Sequence, residues 1–277
     1  MYRFKTLKNA QDITSIVSIF ANNKPISTLQ SEHPYCIVLV GAPGVGKTTQ
    51  VARYLDNIDL DYDHFYHISL DSLVEKVKPY RNTSLRIYST LKNKNNVGIL
   101  NSLYLPTIMS HNTNFSLKAT EKARMKKIKG AGKRKRTLKS LNELREEGFI
   151  YGVQNGLNII YDTTLSSSTD KIRKNIMPII EMSPVKYNIK VMLVTANEDI
   201  IKKRLKERQN GMISKNYIRA INPKAIEKLI SENEKGFEMF QKYMKEGDYE
   251  KNINTRYNAD DFEFIVIDNS KNRSERR

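Results

Sequence analysis

The apolar run Cys36, Ile37, Val38, Leu39 and Val40 ends abruptly in Gly41, Ala42, Pro43, Gly44, Val45, Gly46, Lys47, Thr48 and Thr49. That order fits G-x-x-x-x-G-K-[ST] at every fixed position. Each part has a physical task. A buried strand delivers the loop, and glycines let its backbone N–H groups wrap a phosphate without Cβ clashes. Lys47 can reach the β- and γ-phosphates, Thr48 can hold Mg²⁺, and the helix opening there adds its positive dipole end. A pattern this short also arises by chance in unrelated chains. Here the preceding strand-like run and the helix-compatible Gln50, Val51, Ala52, Arg53, Tyr54 and Leu55 supply the context the chemistry needs. The expectation is an α/β fold: a P-loop NTPase-type three-layer sandwich with a mostly parallel central sheet and helical excursions. ATP with Mg²⁺ is the expected ligand.

The 277 residues are enough for one sizeable domain that buries its core without disulfides. The single cysteine, Cys36, opens the expected first strand and reads as a buried, inert thiol. No apolar run approaches the roughly 20 residues that span a bilayer, so no membrane association is expected. Residues 1–8 lack the apolar core of a secretory signal, which points to an intracellular, cytoplasmic setting.

A formal net charge of +17 suggests affinity for polyanions, although a Lys- and Asn-rich composition can also follow from an AT-rich genome. The charge is uneven. Between Lys118 and Lys139 lie eleven basic residues against one acid, Glu121, so that this segment supplies +10 of the total. Three readings stay open for it. It can be a solvated excursion, a phosphate-contacting nucleic-acid surface, or, through Lys133, Arg134, Lys135 and Arg136, a nuclear localisation signal in a eukaryotic setting. Only Phe115 lies near it, which argues against a base-stacking platform.

In chain order, residues 1–34 read as a helical lead-in, with apolar positions 13, 16, 17 and 20 at helical spacing and Pro25 and Pro34 before the strand. Residues 64–70 read as a second strand running into a helix, which puts Asp71 at the carboxyl end of the strand, where open α/β sheets bind ligands. A helix-capping role competes with a functional one there. Residues 83–130 look helical with interruptions, and helical spacing resumes through Leu138, Leu141, Leu144 and Phe149. Residues 156–164 then form an apolar strand ending in Asp162, the Walker B arrangement in which a carboxylate holds Mg²⁺ opposite the P-loop. Thr163 follows it, where a motor ATPase would carry a water-polarising Glu, and this favours transfer to an acceptor over free hydrolysis. A helix over 170–180 is expected to stop near Pro178, a core strand over 187–195 follows, and then a helix over 197–211. On that helix Arg204 and Arg208 share one face, suited either to a transferring phosphoryl group or to plain solvation among Lys202, Lys203 and Lys206. Residues 211–219 are a candidate lid, residues 223–240 an amphipathic helix with Pro223 near its start, residues 262–267 a last strand, and 271–277 a disordered tail. His33, His64, His67 and His111 have no zinc-like spacing, and no metal or catalytic role is expected of them; His64 and His67 should face opposite sides of the second strand.

A P-loop at the first strand, an Asp ending the second, Asp162-Thr163-Thr164 ending a later one, and Arg204 and Arg208 before Gly211 together resemble the zeta-toxin-like P-loop kinases. Ser69, Leu70 and Asp71 with Lys78, Pro79 and Tyr80, and Tyr217 with Ile218, add to the likeness, which covers roughly residues 35–240. The resemblance implies that Asp71 accepts the proton of a substrate hydroxyl and that Arg204 and Arg208 clamp phosphates. It also brings in the sugar-nucleotide acceptor known for that family. Sugar-nucleotide contacts cannot be matched residue by residue, and the basic segment around 112–140 departs from the family pattern. The expected activity is therefore an ATP- and Mg²⁺-dependent phosphotransferase acting on a hydroxyl of a sugar nucleotide, nucleoside or polynucleotide end. Its catalytic residues would be Asp71, Lys47, Arg204 and Arg208, and its metal-holding residues Thr48 and Asp162. The alternative is a nucleic-acid-binding P-loop NTPase that uses the basic segment.

Overall fold

The computed structural model describes residues 10–76, 141–165, 175–214, 225–245 and 256–270. The basic segment, Lys78, Pro79, Tyr80, Tyr217, Ile218, Pro223 and the tail, with the readings attached to them, lie outside the described residues.

Five strands form one sheet: β1 (Tyr35–Val40), β2 (Tyr66–Ile68), β3 (Ile159–Thr163), β4 (Asn188–Thr195) and β5 (Phe262–Asp268), in the order β2-β3-β1-β4-β5. Every pairing among them is parallel. Parallel strands are covered on both faces, which is why β1 and β4 read as near-continuous apolar runs without alternation. Ile37 and Leu39 belong to one core with Val51 and Leu55. Cys36, Val38 and Val40 belong to the other, with Phe20, Phe149 and Phe240. The expected α/β sandwich is the observed one.

Among the described residues the α-helices are α1 (Ala10–Phe20), α2 (Lys47–Asp56), α3 (Leu70–Lys76), α4 (Leu141–Gln154), α5 (Met177–Ile180), α6 (Glu198–Ser214) and α7 (Ile226–Lys245). The lead-in is not peripheral to the core. Phe20 is 1% exposed and meets Tyr66 edge-on, with ring centroids 5.6 Å apart. Helix α4 lies close against it because Gly148 has no side chain; a Cβ there would come within 2.5 Å of the Phe20 ring.

Several expected boundaries move. The second strand is only three residues long, since Asp61 caps a 3-10 turn over Tyr62–His64 and takes those residues out of the sheet. His64 therefore stands in that turn and His67 alone in the strand, so the two do not face opposite sides of it. Pro178 does not stop a helix but sits in the first turn of α5, where its missing N–H has no intrahelical partner to lose. Gly211 does not end α6, which continues to Ser214; an interior glycine costs a helix only about 1 kcal/mol. The first residues of the supposed lid are thus helical.

Candidate functional site

The topology sets the site. From β1 the chain passes beyond β3 to form β2, and after β3 it crosses β1 to form β4. The carboxyl end of β1 is thus the point where the strand order reverses, and the crevice opening there is where doubly wound sheets bind ligands.

The loop leaving β1 turns through three glycines with positive φ, Gly41 at 152°, Gly44 at 90° and Gly46 at 91°. Space is as tight as conformation. A Cβ on Gly41 would lie 2.5 Å from the Val194 carbonyl oxygen, and one on Gly46 would lie 2.5 Å from Asn269 Nδ2. Helix α2 then starts at Lys47 with its first N–H groups facing the loop.

Register places the first carboxylate. Leu39 pairs with Asp162 and Val40 with Thr163, so Asp162 stands beside the last turn of the strand that feeds the loop. Lys47 Nζ lies 3.3 Å from Asp162 Oδ1 and donates to the Gly41 carbonyl at 2.7 Å. Both side chains are largely sequestered, 12% and 21% exposed, so the contact is screened less than a surface pair. Thr48 lies beside them on the cleft wall.

The donor set suits Mg²⁺. Among the described residues no three His, Cys, Asp or Glu side chains cluster to form an all-protein metal cage. Mg²⁺ is bound instead through one or two side chains, waters and substrate phosphates, and Thr48 and Asp162 supply a hydroxyl and a carboxylate next to a phosphate-binding loop. When bound, the ion would neutralise phosphate charge.

These residues line a cleft of about 800 Å³ together with Asp71, Thr164, Arg204 and Arg208. The sequence-selected residues from four separate segments therefore meet in one place. Asp71 sits in the first turn of α3 and not at its N-cap, because the helix already begins at Leu70. Arg204 and Arg208 come from α6, and they are not equivalent. Arg208 is exposed, whereas Arg204 is half-buried and donates to the Val45 carbonyl at 3.2 Å and to the Asn269 carbonyl at 3.1 Å. Lys202 on the same helix instead pairs with Glu198 in solvent. The solvated reading therefore suits Lys202 and not Arg204.

Four residues at or beside the cleft carry no role in the sequence reading. Asn269, 3% exposed, donates to the Val45 carbonyl and accepts from Gln50, each at 2.6 Å, so the end of β5 is tied to both the loop and α2. Asn233 on α7 accepts from the Leu165 N–H at 2.8 Å and steadies the chain just after Asp162. His67 lines the cleft, with Nδ1 2.7 Å from the Tyr62 hydroxyl. Burial is the main influence on its ring and lowers its pKa, more than the nearby Asp162 carboxylate raises it. Burial, then Asp162 and Asp63, pushes the Tyr62 phenol up to about 12, so both members of that pair are neutral at pH 7. Arg145 also lines the cleft, from α4, a helix that packs against β2 and β3. Among Glu143, Glu146 and Glu147 it looks in sequence like part of a solvated charge pattern, and only the packing of α4 shows otherwise.

No helix among the described residues is long and apolar enough to cross a membrane. No curated protein sequence matches the chain. Among solved structures it resembles a chain from the PezAT chromosomal toxin–antitoxin system of the human pathogen Streptococcus pneumoniae. The TM-score is 0.50 and the identity 13%, covering 94% of this chain and 78% of that one. At that identity the likeness is one of fold, and the fold is the one that the zeta-toxin-like resemblance implied. An AAA domain family model matches residues 36–218, more than half of the chain, from the second residue of β1 to past the end of α6. The chain belongs to the AAA domain family, with a nucleotide-binding P-loop fold of the zeta-toxin-like type.

Proposed function

We propose that this protein is an ATP- and Mg²⁺-dependent kinase that moves the γ-phosphoryl group to a hydroxyl of an acceptor. One observation carries the reading. The phosphate loop, Arg204 and Arg208 line one cleft with Asp71, which follows β2 on the far side of β3 from the loop, and with Thr164 just after β3. A cleft of about 800 Å³ is larger than a hydrolytic water requires, which supports a second substrate beside the nucleotide.

In this reading Lys47 and the loop amides hold the β- and γ-phosphates, and Thr48 and Asp162 hold the ion. Lys47 must exchange its bond to the Gly41 carbonyl for one to phosphate, a short movement of a flexible side chain. Asp71 accepts the proton of the attacking hydroxyl. Arg208, exposed in the cleft, balances the charge that spreads over the phosphoryl oxygens, while Arg204 holds the loop to which it is tied. Positioning the two substrates in line supplies most of the rate advantage in transfers of this kind.

The test is transfer from γ-labelled ATP to a panel of UDP-sugars, nucleosides and 5′-hydroxyl DNA and RNA. Lys47→Ala should abolish transfer and weaken nucleotide binding strongly. Asp71→Asn should lower transfer by roughly 10²- to 10⁴-fold, the usual span of general-base catalysis, with nucleotide binding retained. Normal transfer by Asp71→Asn would remove the base assignment. The +10 charge of residues 118–139 favours a second reading, a nucleic-acid-stimulated NTPase. In that case ATP hydrolysis rises on adding DNA or RNA, and the binding weakens steeply with salt.

A further inference from the structure

We propose that Arg145 reads an anionic group on the acceptor, so that the molecules phosphorylated here carry a phosphate or carboxylate besides the reacting hydroxyl. The word acceptor rests on the kinase reading above; the anion site itself rests on the geometry of Arg145.

Two of the cleft's cations are already committed. Lys47 is held by the Gly41 carbonyl and Asp162, and Arg204 by the Val45 and Asn269 carbonyls, all at the phosphate loop. Arg145 belongs to neither group. It enters from α4, which packs against α1, α3 and β2 and, among the strongest contacts of the described residues, not against α6.

Its guanidinium is positioned and has hydrogen-bonding capacity to spare. The guanidinium carbon lies 5.3 Å from the centroid of the Tyr161 ring. Tyr161 is 4% exposed and packs in turn on Phe149, with centroids 4.6 Å apart. A cation–π contact with a fixed ring restricts where the guanidinium can sit, which lowers the entropy lost when an oxyanion binds. Its Nε is buried without a hydrogen-bond partner. A phosphate or carboxylate in the cleft can engage the two terminal nitrogens of the guanidinium in a bidentate manner. A neutral hydroxyl offers a weaker and less directional partner.

The surroundings do not repel such a ligand uniformly or attract it uniformly. Glu143, Glu146 and Glu147 share the helix, and Asp71 and Asp162 share the cleft. General basicity therefore does not account for anion binding here. The fork geometry of one arginine does, and Arg→Lys is not conservative at such a site.

The experiment uses the full chain with Mg²⁺ and a non-hydrolysable ATP analogue saturating the phosphate loop. Calorimetry then measures binding of matched pairs: UMP against uridine, and gluconate against glucose. We expect the anionic member of at least one pair to bind more tightly. Arg145→Gln should weaken that member by roughly 10- to 100-fold, the worth of a charge-assisted bidentate contact, and leave its neutral partner and the ATP analogue unchanged. Arg145→Lys should fall between, and the pair that discriminates tells phosphate from carboxylate. Equal binding within both pairs, or a preference that survives Arg145→Gln, overturns the proposal. So does a loss that the ATP analogue shares, since that would place Arg145 at the nucleotide. Transfer assays on the same pairs separate the two ideas. Arg145-dependent anion binding without transfer to any member leaves the anion site standing and removes the kinase reading. Transfer to neutral and anionic members alike does the reverse.

Discussion

The bond network around Asn269 permits a quantitative prediction for Asn269→Ala. The side chain makes two buried hydrogen bonds at 2.6 Å, one to the Val45 carbonyl inside the phosphate loop and one from Gln50 on α2. Losing each bond costs about 1 kcal/mol net, and the stranded Gln50 amide, at 8% exposure, adds about 1–3 kcal/mol. The Val45 carbonyl keeps its bond from Arg204, so that end is only partly orphaned. The sum is about 3–5 kcal/mol of destabilisation, a large part of the ~5–15 kcal/mol typical of a domain. Urea denaturation should show a lower midpoint with an unchanged slope. Nucleotide affinity should also fall, because the loop loses its tie to β5. The double variant Gln50→Leu, Asn269→Leu should be less destabilised than the sum of its single variants, with a coupling of about 0.5–3 kcal/mol. A loss below about 0.5 kcal/mol for Asn269→Ala, with unchanged nucleotide affinity, would refute the claim that β5 braces the loop.

Two further predictions concern titrating groups. Burial pushes the Cys36 thiol up to about 12, so it should resist thiol reagents at pH 8 in the folded protein and react within minutes once unfolded; rapid labelling of native protein would contradict its place in the core. With Cys36 raised, the stability it contributes is full below pH 9.0, its ordinary value, and is lost as pH climbs toward 12. His67 has the opposite sign, its folded pKa lying below 6.5 because burial disfavours the charged ring. Its contribution is therefore present above pH 6.5 and lost as pH falls below it, where the unfolded chain takes up a proton that the folded one does not. Thermal melts from pH 7.5 to 5 should fall less steeply for His67→Gln than for the parent, and parallel curves would rule the effect out.

The phosphate-binding half of the site was legible in the sequence because its chemistry is local. Residues 41–48 must be consecutive for their amides to surround one phosphate, so Gly41, Gly46, Lys47 and Thr48 declare themselves by spacing alone. Asp71 and Asp162 were legible one step later, each as an acid closing an apolar run. What they shared, proximity to the same loop, follows from the register Leu39 to Asp162 and from β3 inserting between β1 and β2.

Asn269, Asn233 and Arg145 left no such mark. Each sits in a polar stretch where Asn and Arg are ordinary, and none belongs to a pattern with a fixed interval. Their roles come from what faces them across the fold: a carbonyl 224 positions away for Asn269, the N–H of Leu165 for Asn233, and the Tyr161 ring for Arg145. The sequence by itself determined that a parallel α/β sheet would present a phosphate loop, since strand burial and glycine geometry are properties of short segments. Only the tertiary structure decided which arginine braces that loop and which is exposed in the cleft. Arg204 and Arg208 are one helical turn apart with the same chemistry, and what separates them is whether the carbonyls of the phosphate loop and of the residue after β5 lie within reach.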